Sequence, residues 1–214
     1  MTAPSERTTV KRLPERGTYD EETIHQILDD ALICHVAFVT EHGPVVIPTI
    51  HARVGSILYL HGSHASRMMR TTPDDDVCVA ATIVDGIVAA RSTFHHSLNY
   101  RSVVVFGKPR VVTDPDERLV AFEAITEHVL PGRWGEARRP SDKEDVGTRL
   151  LAIEIDEASA KVRTGPPDDD DADLGSGVWA GVIPLAMTSG TPEPAPDLED
   201  QLEVSASVRN YTGR

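Results

Sequence analysis

The sequence has few cysteines and no long apolar run. Its 214 residues include only two cysteines, Cys34 and Cys78, and both lie inside apolar segments. We therefore expect buried thiols in a reducing cytoplasm rather than a disulfide. No apolar run approaches the roughly 18 residues of a membrane span. The polar N-terminal stretch lacks the apolar region of a secretory signal, so neither targeting nor membrane insertion is predicted.

Positive charge is also scarce, with a formal net charge of −13 from 34 acidic and 21 basic residues. Proteins that bind nucleic acid or anionic membranes present a basic surface, so neither partner is expected. The acidity is uneven, because residues 166–214 hold ten acidic and two basic side chains. Residues 44–113 hold seven basic and four acidic ones, a local charge of +3. This segment can supply a cationic patch for a phosphorylated small molecule.

Several well-known motifs are missing. There is no Walker loop, no G-x-G-x-x-G and no G-x-S-x-G, which argues against a dinucleotide fold and a serine hydrolase. The pairs His61-x-x-His64 and His95-His96 have no carboxylate or cysteine in register, so we predict no metal site. The chemistry must therefore come from another arrangement.

Hydrophobic periodicity predicts a mainly β protein with flanking helices, an antiparallel barrel or sandwich. Asp85-Gly86 is the strongest hairpin signal in the chain. Asp114-Pro115 is typical of a helix start. Strands are expected at 33–40, 45–52, 56–62, 77–84, 87–94, 101–113, 150–156 and 160–165, and helices at 20–31, 63–72, 115–129 and 142–148.

Composition divides the chain into three parts. Residues 1–18 are predicted to be a polar N-terminal arm and residues 19–165 a barrel domain. Residues 166–214 form an acidic extension, whose apolar island 178–186 is expected to pack on the barrel.

Three features could hold a cofactor. In 60–70, small residues and Arg67 lie at a strand-to-helix transition, where free backbone N–H groups can bind phosphate, although Ser63 could be only a helix cap. Arg101 offers a fork suited to phosphate or is an ordinary surface arginine. Trp179 could stack on a planar cofactor or pack a loop on the barrel.

The order of these pieces resembles the flavin-nucleotide-binding proteins related to pyridoxamine 5′-phosphate oxidase, in particular the nitroimidazole-resistance (Nim) branch. The resemblance covers about residues 12–186 and implies an FMN-binding split β-barrel with the flavin site at a homodimer interface. The matching stretches are VVIPTIHA (45–52), ILYLHGSHASR (57–67), FHHSLNYRSVVVFGKP (94–109), SAKVR (159–163) and WAGVIP (179–184).

The resemblance also implies roles for individual residues. Ser66 and Arg67 would hold the phosphate, Ser102 with Arg101 would approach the flavin, and Trp179 would reach the cofactor across the dimer. His61 matches a functional histidine of the Nim branch and is our candidate catalytic residue. The flavin-contacting set is Val46, Ile47, Pro48, Thr49, Leu60, His61, Ser66, Arg67, Arg101, Ser102 and Trp179.

We therefore expect an FMN-dependent oxidoreductase acting on a small nitroaromatic or quinone-like acceptor. The C-terminal VRNYTGR lacks the R-x-H clamp of true pyridoxamine phosphate oxidases, so that reaction is not expected. A non-catalytic flavin- or haem-binding module on the same barrel is the alternative, and an 8-hydroxy-5-deazaflavin coenzyme is a lesser one.

Replacing Arg67 by alanine is expected to weaken FMN binding by about 1.5–3 kcal/mol, because a charge-assisted hydrogen bond to the phosphate is lost. Titration of the flavin into wild type and variant measures the change. An unchanged affinity would remove Arg67 from the phosphate site.

Overall fold

The computed structural model describes residues 5–73, 75–199 and 202–213. Within these ranges, no helix combines the length and the hydropathy needed to cross a membrane. The strands are β1 (Gly17–Thr18), β2 (Cys34–Thr40), β3 (Gly43–Thr49), β4 (His51–Val54), β5 (Ile57–Ser63), β6 (Val77–Ala89), β7 (Ser97–Gly107), β8 (Arg110–Val111), β9 (Thr148–Glu154), β10 (Glu157–Arg163) and β11 (Gly181–Pro184). The helices are α1 (Glu21–Asp30), α2 (Arg67–Thr71), α3 (Pro115–Val129), α4 (Arg133–Glu136), α5 (Asp142–Gly147) and α6 (Ala206–Arg209).

The strands form two antiparallel sheets. The large sheet has the order β1-β10-β7-β6-β2-β3, and β11 pairs with β6 beside this path. The small sheet has the order β4-β5-β9-β8. The two sheets do not join into one closed cylinder. The predicted fold class, a mainly β split barrel with flanking helices, is therefore confirmed.

The main core lies between the inner faces of the two sheets and beneath α1. On the large sheet, Val36, Val79, Val105 and Ala158 lie side by side on neighbouring strands and are all buried. Because side chains alternate along a strand, the residues next to them in sequence point to the opposite, outer face. A second cluster packs α3 against the small sheet through Tyr59, Ala121 and Ile125.

Helix starts follow the local capping signals. The Asp20 side chain accepts a hydrogen bond from the backbone N–H of Thr23, and Asp114 accepts one from Glu117. These caps satisfy N–H groups that have no partner inside the helix. The predicted helices 20–31 and 115–129 are thus confirmed to within a residue.

The predicted strand 45–52 is in fact two strands in different sheets. Thr49 is the last residue of β3 that pairs with β2, whereas His51 pairs with Leu60 of β5 in the small sheet. Ile50 is therefore a corner at which the chain passes from one sheet to the other, a known way to turn between packed sheets.

The predicted hairpin at Asp85-Gly86 is wrong. One long strand, β6, runs through both residues, with a bulge between Val84 and Gly86. The Asp85 carboxylate accepts hydrogen bonds from Arg101 rather than closing a turn. Gly86 allows β11 to approach, since a Cβ on it would lie 3.0 Å from Val182 Cγ1 and 3.1 Å from the Ile183 carbonyl oxygen. Long-range packing thus overrides the local turn signal.

Both terminal segments are fastened to the barrel. In the N-terminal arm, Ser5 and Arg7 donate to the Glu157 carboxylate, and the Arg7 guanidinium lies 4.8 Å from the centre of the Phe106 ring. In the extension, β11 pairs with β6. Further along, the Glu136 carboxylate accepts hydrogen bonds from the backbone N–H and the hydroxyl of Ser207 in α6.

Gly86→Ala is expected to lower the free energy of unfolding by about 1–3 kcal/mol, because the added methyl group overpacks the contact with β11. Urea unfolding measures this change. Gly190→Ala is the control, since nothing lies within 4 Å of its Cβ position. Equal stability of the two variants would contradict the close approach of β11.

Candidate functional site

The turn from β5 into α2 is closed by hydrogen bonds between its own residues and leaves one serine hydroxyl at the helix start. The Ser66 N–H donates to the Ser63 carbonyl oxygen over 2.9 Å, and the Ser63 hydroxyl accepts from the Ala65 N–H over 3.2 Å. The Ser66 side chain makes no capping bond to α2. The hydroxyl of Ser66 is therefore available at the helix start, where the sequence predicts phosphate contact.

Two arginines on α2 point into solvent. Met68 and Met69 are buried in the main core and hold the short helix in place, whereas Arg67 and Arg70 are exposed. Within the described part of the chain, neither guanidinium makes a hydrogen bond or an ion pair. Their positive charge is therefore free to meet an anion.

Arg149 adds a cationic side chain that the sequence analysis missed. It lies opposite Gly62 in the register of β5 and β9, and its Nη1 donates to the Met69 carbonyl oxygen over 2.9 Å. Its Nε is buried without a partner among the described residues. No local pattern marks Arg149, because only strand pairing brings residue 149 next to α2.

His61 and Leu60 lie on opposite faces of β5. Leu60 is fully buried in the main core, whereas His61 is half-buried on the other face. The Nδ1 of His61 has no hydrogen-bond partner among the described residues. Burial lowers the pKa of His61, which favours the neutral imidazole. Of this predicted pair, only the His61 side chain can contact a bound molecule.

The predicted contacts on β3 and β7 divide between the two faces of the large sheet. Val46, which is 60% exposed, and Pro48 lie on the outer face, whereas Ile47 packs against the main core. Thr49 shares the inner side with Ile47 by alternation. Ser102 lies on the outer face and donates its hydroxyl to the Lys161 carbonyl oxygen over 3.2 Å. The outer face therefore brings Val46, Pro48 and Ser102 onto one surface.

Arg101 lies on the inner side, away from Ser102. Its guanidinium donates to Asp85 and Asp30, with a distance of 2.9 Å between Nη2 and an Asp85 oxygen. Hydrogen bonds that Arg101 donates to the Asp85 carboxylate raise the pKa of Arg101 despite its partial burial. The side chain is committed to two carboxylates, so the structure does not bring it together with Ser102.

Arg101 and its acidic partners line a cavity of about 1060 Å³. One wall comes from Ile33 and Ile83, and the C-terminal segment supplies Leu185 and Tyr211 opposite. The volume is close to the upper end of the range of small-molecule sites, about 1,000 Å³. This cavity is separate in composition from the Ser66–Arg67 turn, because the two share no lining residue.

Trp179 lies just before β11 and is 66% exposed. A Cβ on Gly181 would lie 2.9 Å from the indole, so the ring packs against the backbone of Gly181, the first residue of β11. The predicted role of Trp179 across a dimer stays a prediction.

A family model described as pyridoxamine 5′-phosphate oxidase matches residues 20–162. The chain belongs to this family. The match includes the strands β2 to β9, most of β10 and the turn at Ser66, while the whole acidic extension lies beyond it. A search of the curated proteins found no match to this member of the pyridoxamine 5′-phosphate oxidase family.

Two solved structures resemble this family member over nearly its whole length. One is the flavocytochrome Anf3 from Azotobacter vinelandii, with 35% identity, a TM-score of 0.92 and coverage of 99% of each chain. The other is described as an FAD and heme binding protein from Mycobacterium smegmatis, with 37% identity and a TM-score of 0.88. Its alignment covers 92% of this chain and 98% of that one.

A more distant structure shares the fold. It is described as a putative 5-nitroimidazole antibiotic resistance protein from Bacteroides thetaiotaomicron, with 21% identity and a TM-score of 0.57. The alignment covers 68% of this chain and 86% of that one. The expected relationship to the pyridoxamine 5′-phosphate oxidase family is confirmed, and the Bacteroides thetaiotaomicron structure shows that the fold is shared with a Nim-like protein.

A double-mutant cycle on Arg101→Met and Asp85→Asn is expected to give a coupling energy of about 1 kcal/mol, since the pair is multiply hydrogen-bonded but one-third exposed. Urea unfolding of the four proteins measures the coupling. The more exposed pair Arg138–Glu144 is the control and should couple less strongly. Additive effects at Arg101 and Asp85 would show that the bridge is not formed in solution.

Proposed function

We propose that this protein binds a flavin and a haem and transfers electrons between small redox partners. One observation carries the proposal. Two relatives above 30% identity are described as a flavocytochrome and as an FAD and heme binding protein, and the similarity reaches through the acidic extension. Flavin and haem together supply hydride and one-electron chemistry, and the protein supplies their positions and electrostatics.

The flavin phosphate is assigned to the start of α2. Ser66 offers a hydroxyl without a capping bond, and Arg67 offers an exposed guanidinium without a partner among the described residues. Arg70 and Arg149 add positive charge from the same helix and the strand beside it. These residues fit an anionic group, which supports the phosphate role predicted for Ser66 and Arg67.

The ring of the flavin is assigned to the outer face of the large sheet. Val46, Pro48 and Ser102 share this face, and the side chains between them on β2 and β6 include the small Ala37 and Ala80. Apolar and small side chains suit a flat ring system. We retain His61 as the candidate catalytic residue beside the ring or the substrate.

A bound haem would need a side chain that coordinates its iron, and histidine is one of the residues that do so. His51 and His128 are buried and donate to backbone carbonyl oxygens of Leu28 and Ala31, which gives both histidines a role in the fold. The neutral imidazole of His61, whose Nδ1 has no partner in the described part of the chain, would also suit the haem iron. The two roles exclude each other, since a His61 bound to iron would not act beside the flavin ring.

The proposed assembly is a homodimer with the flavin at its interface. Its support is the outer face of the large sheet, which exposes Val39, Val46 and Val84 on neighbouring strands. Exposed apolar groups of this kind are typical of contact surfaces. A cytoplasmic location is proposed because Cys34 and Cys78 are both free thiols.

The identity of the flavin and of the acceptor belongs to the same proposal. FMN is the flavin that the sequence resemblance implies, whereas the Mycobacterium smegmatis relative is described with FAD. We favour FAD because that relative is 37% identical over nearly its whole length. A nitroaromatic or quinone-like acceptor remains the proposed substrate class.

An absorption spectrum of the purified protein is expected to show flavin bands together with a Soret band, and acid extraction should release FAD. His61→Ala is expected to alter the spectrum or slow reduction of the bound cofactors. His42→Ala, whose side chain is exposed in the β2–β3 turn, is the control and should leave both unchanged.

A flavin band without haem would reduce the proposal to a flavoprotein, and extraction of FMN would restore the expectation from the sequence. Bound cofactors that no reductant or acceptor turns over would support the non-catalytic carrier. Colourless protein that cannot be reconstituted with either group would contradict the proposal entirely.

A further inference from the structure

Two distant segments meet at a cluster of metal-ligating side chains. His95 lies in the turn between β6 and β7, and Asp170 and Asp173 lie in the loop after β10. One ligand atom from each residue lies within 4.8 Å of the others. The distance between His95 Nε2 and Asp170 Oδ2 is 3.2 Å. An imidazole and two carboxylates therefore face a common point.

The two segments are held together beside this cluster. The Asp169 carboxylate, which is 3% exposed, accepts hydrogen bonds from the Arg91 backbone N–H over 2.8 Å and from Arg91 Nη1 over 2.6 Å. The buried Arg163 donates to the carbonyl oxygens of Gly165 and Pro166. These contacts fix the start of the loop, so Asp170 does not need to be ordered by a ligand.

The local charge favours a cation. Five aspartates lie between positions 168 and 173, at 168, 169, 170, 171 and 173. In the described ranges, Arg91 is the arginine that pairs with this run, and it pairs with Asp169. His95 is left to face Asp170 and Asp173, whose combined charge exceeds that of a single imidazolium. A divalent ion would neutralise this excess.

We propose that His95, Asp170 and Asp173 bind a divalent transition-metal ion of the zinc class. Imidazole selects transition metals over Mg²⁺ and Ca²⁺, while carboxylates complete a mixed nitrogen and oxygen set. Three protein ligands leave a position for water or another ligand. The site is independent of the flavin and haem, because its residues are not among those assigned to either cofactor.

The geometry needs only side-chain adjustment. Ligand bonds of about 2.0–2.2 Å in a tetrahedral site place ligand atoms about 3.4 Å apart. The His95–Asp170 pair has this spacing already, and rotation of the half-buried Asp173 side chain would close the remaining distance.

Equilibrium dialysis of Zn²⁺ against the chelator-washed protein tests the site. Wild type is expected to take up one equivalent with saturation, and Zn²⁺ should raise the melting temperature. His95→Ala and Asp173→Asn should each weaken binding at least tenfold. His96→Ala is the matched control, since this neighbouring histidine bonds the Ser92 carbonyl oxygen and lies outside the cluster.

Retention of full Zn²⁺ binding by His95→Ala with Asp173→Asn would overturn the proposal, and so would the absence of a saturable equivalent in wild type. Equal weakening by His96→Ala would also overturn it, because binding would then not be specific to the cluster. Spectra of the bound cofactors in all variants show that the proteins are folded and that the cofactor sites are separate.

Discussion

The C-terminal end of α1 is the constraint on which both sheets depend. Its last residues, Asp29 and Asp30, carry negative charge where the helix dipole is already negative, which is unfavourable in isolation. Arg53 on β4 of the small sheet binds Asp29, and Arg101 on β7 of the large sheet binds Asp30. One helix end thus requires an arginine from each sheet, and this requirement helps to hold the two sheets together around it.

Two buried histidines donate hydrogen bonds to backbone carbonyl oxygens at the same helix end. His51 Nε2 donates to the Leu28 carbonyl oxygen over 2.8 Å, and His128 Nε2 donates to the Ala31 carbonyl oxygen over 3.0 Å. The carbonyl groups of a last helical turn have no partner inside the helix, so side-chain donors replace the missing bonds. His128 comes from α3, which brings the second core cluster to the same point. These two histidines therefore stabilise the helix end.

The sequence predicted those elements whose structure depends on interactions between neighbouring residues. Helical periodicity predicted α1, and the Asp114-Pro115 helix start predicted α3, because both signals lie within a few neighbouring residues. The hairpin predicted at Asp85-Gly86 was wrong for the opposite reason. The conformation of this pair depends on contacts with Arg101 and β11, which lie further along the chain. The phosphate candidates Ser66 and Arg67 lie within one turn and needed no tertiary information. The faces of Arg101 and Ser102, and the place of Arg149, follow only from strand register.

The charge of the chain acquires a structural meaning from these pairings. Asp29, Asp30 and Asp85 are matched by arginines within the barrel, so part of the acidity is used in holding the sheets. Among the described residues, the arginines that have no hydrogen-bonded or ion-pair partner include Arg67 and Arg70, which both lie on α2. A dense group of carboxylates lies instead in the loop after β10, where, among the described residues, Asp169 is the aspartate that pairs with an arginine. Because the excess charges of opposite sign occupy different surfaces, one chain can offer an anion site and a cation site that do not neutralise each other. A whole-chain charge of −13 hides this separation, since it adds the two surfaces together.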